Sequence, residues 1–236
     1  MIRVLVSPMN LEEAMECLEG GADIIDVKNP SEGSLGANFP WVINEVAKLV
    51  KREGKELSAT TGDLDFKPGT ASLAALGAAV AGADYIKVGL YGVKNGKEAF
   101  EMLKGVSKAV KDFDDSKKVV GASYADYHRI GAVSPFELPE SAGSAEVDGI
   151  MIDTAIKDGK TLFDHLNKEQ LLEFVDMARS HGMFCALAGS INWEHLPVLK
   201  EISPDIIGVR TIVCEADRSS KIKRELVEKL MKEMRM

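Results

Sequence analysis

The sequence predicts an α/β protein whose eight strand-helix units close into a (β/α)8 TIM barrel, and three observations carry that prediction. Short β-branched runs alternate almost without a break with longer segments whose apolar residues recur at helical spacing. Eight such strand runs can be counted in 236 residues, which is enough for eight βα units and leaves no room for a second domain. Several helical segments stop at glycine, the residue that most readily turns a chain out of a helix. One barrel domain is therefore expected over residues 1–236; the competing topology is an open, doubly wound sheet.

In chain order, "RVLVSP" (3–8) is the first strand and "LEEAMECLEGG" (11–21) its helix. "DIIDVKN" (23–29) follows, then a long loop and "WVINEVAKLVKREG" (41–54). "ELSATTG" (56–62) precedes "TASLAALGAAVAGA" (70–83), which is too short and too rich in glycine to span a bilayer and is expected to be a buried helix. "YIKVGL" (85–90) leads to "AFEMLKGVSKAVKDF" (99–113), and "KVVGASYAD" (118–126) to the less regular "SPFELPESAGSAEV" (134–147). "GIMIDT" (149–154) pairs with "KEQLLEFVDMARSHG" (168–182), "FCALAGS" (184–190) with "WEHLPVLKEI" (193–202), and "IIGVRTIVC" (206–214) with the amphipathic "KIKRELVEKLMKEM" (221–234).

A net charge of −8 argues against nucleic acid or an anionic membrane surface as a partner, since both need broad positive fields. Cys17, Cys185 and Cys214 are far apart and form no metal-binding spacing, so they are expected to be reduced packing residues. No metal and no cofactor is expected. The N-terminus lacks the charged, apolar and cleavage segments of a secretory signal, which points to a cytoplasmic protein. Helix patterning alone leaves a homo-oligomer open.

Barrel active sites are built where strands end and βα loops begin. Residues two apart in a strand share a face, so if Ile25 and Val27 pack on the helices, Asp26 and Lys28 both point into the barrel. Lys87 in "DYIKVGL" repeats this arrangement, and Asp153 ends the sixth strand. A second ammonium nearby, together with burial, lowers a lysine pKa and leaves an amine able to attack a carbonyl. The bland alternative is a pair of structural ion pairs, Asp26–Lys28 and Asp153–Lys87.

Across the barrel, Gly189, Ser190, Arg218, Ser219 and Ser220 are candidates for a phosphate site between the last two βα loops, with Arg210 as a further cation if it faces inward. Ser219 and Ser220 could instead cap the last helix, and Gly189 could merely make a turn. "NPSEGSLGANFP" offers Ser31, Gly33 and Ser34 beside Lys28, for a second anion or a lid, or as a loop without a ligand. Tyr124 and Asp126 face the mouth or support a loop; His128 lies at the same end, whereas His165, His181 and His195 are surface candidates.

With these residues assembled, the chain closely resembles the archaeal (5-formylfuran-3-yl)methyl phosphate synthases, also called 4-(hydroxymethyl)-2-furancarboxaldehyde-phosphate synthases, of methanofuran biosynthesis. The likeness runs from "RVLVSP" through "DIIDVKNPSEGSLGANFPWVI", "YIKVGLYG" and "MIDTAIKDGKTLFDHL" to "ALAGSI" and "DRSSKI", with the second-strand block the most specific part. It implies a class I aldolase-like barrel that joins two glyceraldehyde 3-phosphate molecules into a furan aldehyde phosphate, releasing one phosphate and two waters. The family's Schiff-base lysine falls on Lys28 and its proton-transferring lysine on Lys87; Asp26, Asp153 and Lys157 match further polar positions. The rivals are a simple Schiff-base sugar-phosphate aldolase and a non-catalytic phosphate-binding barrel. A metal-independent decarboxylase or synthase using Asp-x-Lys-x-x-Asp is disfavoured because Ser31 stands where its second aspartate belongs.

Overall fold

A computed structural model describes all 236 residues. Its strands are β1 (Arg3–Val6), β2 (Ile24–Val27), β3 (Glu56–Asp65), β4 (Tyr85–Gly92), β5 (Lys118–Tyr124), β6 (Gly149–Asp153), β7 (Phe184–Leu187) and β8 (Ile206–Val209). Each pairs in parallel with its neighbours in chain order and β8 returns to β1, closing the barrel. Around it lie α1 (Leu11–Glu19), α2 (Pro40–Arg52), α3 (Pro68–Val80), α4 (Gly96–Phe113), α5 (Tyr127–Ile130), α6 (Leu138–Ser144), α7 (Leu162–His165), α8 (Lys168–Ser180), α9 (Leu196–Ile202) and α10 (Arg224–Arg235). No helix is long and apolar enough to cross a membrane.

The period-two pattern of the strands divides the core. Ile25, Val27, Ile86, Val88, Ile150 and Ile152 point outward into the layer shared with the helices. Leu5, Ile24, Val120, Met151, Ala186 and Ile206 point inward and fill the barrel. The closed end is polar: Arg3 donates to the Tyr85 hydroxyl (2.9 Å) and pairs with Glu56. Apolar side chains thus separate this ion pair from the charges at the opposite mouth.

Three expectations are revised. The "RTIVC" half of the last predicted strand is not strand, because Arg210 turns the chain into a short 3-10 segment, Thr211–Val213. The last helix starts at Arg224, since Ile222 is held in an antiparallel bridge with Cys214. The apolar α3 buries Ala71, Ala75, Ala78 and Ala79 but leaves Leu73 73% exposed. A helix in the outer ring covers only one of its faces with barrel, whatever its composition.

Candidate active site

Because β2 alternates, Asp26 and the following Lys28 both enter the barrel mouth, as expected, and both are buried. Lys87 comes from the middle of β4, Asp153 from the end of β6, and Lys157 from the loop after it. The ion pairing differs from the bland expectation. Lys87 Nζ donates to Asp26 Oδ2 at 2.7 Å, and Ser7 Oγ donates to the same oxygen at 2.8 Å. Lys157 Nζ donates to Asp153 Oδ1 at 2.7 Å and to Thr154 Oγ1 at 2.9 Å. Lys28 makes no salt bridge; its Nζ donates to the Ser34 carbonyl at 3.2 Å. Alternation brings these side chains together, but which lysine reaches which carboxylate depends on the angles between strands.

Three ammonium groups thus share two carboxylates, and the unpaired one is Lys28. Burial lowers its pKa, Asp153 opposes that and Lys87 adds to it, leaving Lys28 at about 8. Burial raises Asp153, but Lys157 and Lys28 more than offset it and hold the carboxyl at about 2. Burial also raises Asp26, while Lys87 and Lys28 together bring it below the ordinary carboxylate value. With Lys28 neutral, the cluster is two ion pairs with no net charge.

Lys28, Lys87, Asp153 and Lys157 line one side of a cavity enclosing about 490 Å³ of non-atom space, part of it open to solvent. Gly189, Ser190, Arg210 and Arg218 line it from the β7 and β8 loops. Gly189 has φ +113°, and a Cβ there would press on the Thr154 methyl and amide, so the turn needs glycine. The N–H groups of Gly189, Ser190 and Ile191 donate to no protein acceptor. Such a run of free backbone donors suits an anionic oxygen.

Other expected contributors are placed differently. Arg210 faces inward but is not a free cation: its guanidinium is buried against Glu13, with Nη1–Oε2 at 2.8 Å and Nη2–Oε1 at 3.2 Å, and it also donates to the carbonyls of Ser7 and Arg218. Arg210→Met would leave Glu13 charged and buried. It is expected to cost about 3–5 kcal/mol in urea unfolding, rather than selectively raising KM. Arg218 is half-buried and spends one bond on the Gly33 carbonyl (3.3 Å), so the β8 loop keeps a cation facing the cavity. Ser219 and Ser220 neither line the cavity nor cap α10; their hydroxyls bind Asp217 Oδ1 at 2.6 and 3.0 Å and shape their own loop. Ser31 is exposed and bound to Asn29, whereas Ser34 is buried and its carbonyl holds Lys28. Asp126 supports a loop, accepting from Ala155 (2.7 Å) and Ile156 (2.9 Å) just before Lys157. His128 stacks on Tyr127 outside the cavity.

Sequence reading missed Ser7, Glu13 and Asp63. The expected third strand stops at Gly62, yet β3 continues to Asp65 with register shifts against β4 on both sides of Asp63. The irregularity turns Asp63 toward the mouth, where its carboxylate accepts from the Tyr124 hydroxyl and the Leu35 amide.

The model of the family described as 4-HFC-P synthase matches residues 4–231. A curated relative from Archaeoglobus fulgidus, named (5-formylfuran-3-yl)methyl phosphate synthase, is 68% identical over 230 residues, 98% of each chain. One of the same name from Methanocaldococcus jannaschii is 59% identical over 229 residues, covering 96% of this chain and 97% of the relative. Among solved structures, one of KGPDC from Streptococcus mutans superimposes with a TM-score of 0.71 at 14% identity, covering 99% of this chain and 97% of that one. That likeness shows the barrel fold alone.

Proposed function

The chain belongs to the 4-HFC-P synthase family, and from that premise we propose that its buried cluster forms (5-formylfuran-3-yl)methyl phosphate through an imine on Lys28. The observation that carries this reading is the unequal pairing of the three lysines. Lys87 and Lys157 each have a carboxylate at 2.7 Å and Lys28 has none, so Lys28 gives up its proton at the lowest cost.

The substrate is glyceraldehyde 3-phosphate, two molecules of which supply the carbon, hydrogen and oxygen of the product plus one phosphate and two waters. The Lys28 amine attacks the carbonyl carbon of one triose and water leaves, forming the imine. Loss of the α-proton then gives an enamine, with the protonated imine nitrogen as electron sink. Lys87, held by Asp26, gives its proton to the departing water and then, as the neutral amine, takes the α-proton; Lys157, held by Asp153, is the second proton carrier. The enamine expels the phosphate from its own third carbon, and that carbon, now the end of an enol, adds to the carbonyl of the second triose in its ketone form; the primary hydroxyl of the second triose closes on the second carbon of the first, and loss of two waters and hydrolysis of the imine leave the aromatic ring with its aldehyde. The retained phosphate lies against the Gly189–Ile191 amides and Arg218.

Incubation with glyceraldehyde 3-phosphate should build up the ultraviolet absorption of a conjugated furan aldehyde with release of one phosphate per ring. An acyclic aldol product without that absorption would favour the simple aldolase. The fraction of neutral Lys28, and with it the rate of imine formation, should rise about fifty-fold from pH 6 to 8 and level off above, as a pKa of about 8 requires. A rise continuing to pH 10 would indicate an ordinary lysine.

A further inference from the structure

Asp63 lies outside the charged cluster but is tied to it through the loop after β2. Its Oδ2 accepts from Leu35 N–H at 3.2 Å and its Oδ1 from the Tyr124 hydroxyl. The Ser34 carbonyl, one residue before Leu35, receives the Lys28 amine. Two glycines make room for this arrangement. A Cβ at Gly33, whose φ is +134°, would collide with Asp63 Oδ2, and one on Gly89 of β4 would collide with the Tyr124 hydroxyl. Leu35 is fully buried and packs with the barrel-interior side chains, so the loop forms a fixed roof over Lys28.

We infer that Asp63 and Tyr124 form a clamp that holds the Ser34–Leu35 segment over the barrel mouth, making Asp63 a positioning residue for the Lys28 amine. With one amine N–H directed to the Ser34 carbonyl, the nitrogen lone pair is left facing the cavity and water is kept from the ammonium form. Burial pushes the Asp63 carboxyl up, while Tyr124 and the loop amides draw it back. Those bonds compensate its charge, and without them the carboxylate would be poorly solvated. The inference rests on the reading of Lys28 as the imine-forming residue.

The charged or titratable groups facing Lys28 are Asp26 on its own strand, Lys87 on β4, Asp153 and Lys157 from β6 and its loop, and Arg210 and Arg218 from β8 and its loop. Asp63 on β3 and Tyr124 on β5 stand behind the roof. The sign of a pH shift therefore separates two effects. Removing the negative charge of Asp63 alone would make the Lys28 amine easier to deprotonate, whereas releasing the roof would hydrate its ammonium and make it harder.

The test is borohydride trapping with glyceraldehyde 3-phosphate across pH, in wild type, Asp63→Ala and Asp63→Asn, with amide exchange followed at residues 29–39. Asp63→Ala should move the trapping midpoint upward by about one pH unit, slow trapping at pH 7 about tenfold and speed exchange of the Leu35 amide at least tenfold. Asp63→Asn, which keeps an acceptor for that amide and removes the charge, should recover most of the loss without the upward shift. An Asp63→Ala midpoint that stays or falls, with unchanged exchange, would overturn the clamp. If Asp63→Ala does not fold, Tyr124→Phe carries the same expectation and the same refutation. Absence of a wild-type adduct would count against imine chemistry itself, and amide exchange would then decide the clamp alone.

Discussion

Lys28→Met is expected to abolish product formation, by at least about three orders of magnitude as for loss of a covalent nucleophile, while leaving a folded barrel that is more stable than wild type. The sign follows from the proton balance. Lys28 titrates at about 8 in the folded protein, against a value of 10.5 when unperturbed. Below pH 8 both states are protonated and the folded state bears the full cost of a buried ammonium. Between pH 8 and 10.5 the unfolded chain holds a proton that the folded one has released, so stability rises with pH through this window. The shift corresponds to about 3 kcal/mol at neutral pH. Methionine removes that cost but forfeits the bond to the Ser34 carbonyl, worth about 1 kcal/mol. A net gain of about 2 kcal/mol should appear as a rise of several degrees in Tm. Calorimetry at pH 7 beside the furan absorption assay checks both halves, and a destabilised Lys28→Met would mean that Lys28 is a structural partner.

Lys87→Met should lose activity for a different reason and lose stability as well. Asp26 is fully buried, and without Lys87 its remaining direct hydrogen bond comes from Ser7. Breaking a buried ion pair by removing one partner costs about 3–5 kcal/mol, because the other charge stays behind. Asp26 would escape by taking up a proton, so its folded pKa would rise above its unfolded one. Stability from that proton is present at acid pH and lost as pH climbs through the raised value, so the variant should approach wild type as pH falls. Urea unfolding at pH 5 and 7.5 measures this. Adding Asp26→Asn should restore much of the stability at pH 7.5 without restoring turnover. Equal destabilisation at both pH values would contradict the proposed uptake.

The opposite responses expected of two inward-facing lysines show what could and could not be read from the chain. Strand alternation placed Lys28, Lys87, Asp26 and Asp153 at one mouth, because period two and the apolar neighbours Ile25, Val27, Ile86 and Val88 leave these side chains only the barrel interior. The partners were not legible. Lys87 reaches across to Asp26 although Lys28 is closer to it in sequence, and Lys157 occupies Asp153 first. Arg210 looked like a free cation because Glu13, 197 positions away on α1, shows no sign in sequence of facing it. Asp63 was hidden by the irregular register of β3, which decouples side-chain direction from simple alternation. Ser219 and Ser220 resembled a helix cap because the last helix was expected to begin at Lys221, whereas the Cys214–Ile222 bridge closes the residues between them into a loop and α10 starts at Arg224.

The most direct measurement of the central claim is the residue that carries the covalent adduct. Wild-type protein should be mixed with glyceraldehyde 3-phosphate at pH 8, reduced with borohydride, digested and mapped by mass spectrometry, with Lys28→Met treated in parallel. A reduced triose is expected on the peptide containing Lys28 and none anywhere in the variant. An adduct on Lys87 or Lys157 instead, or none in wild type despite accumulation of the furan product, would contradict it.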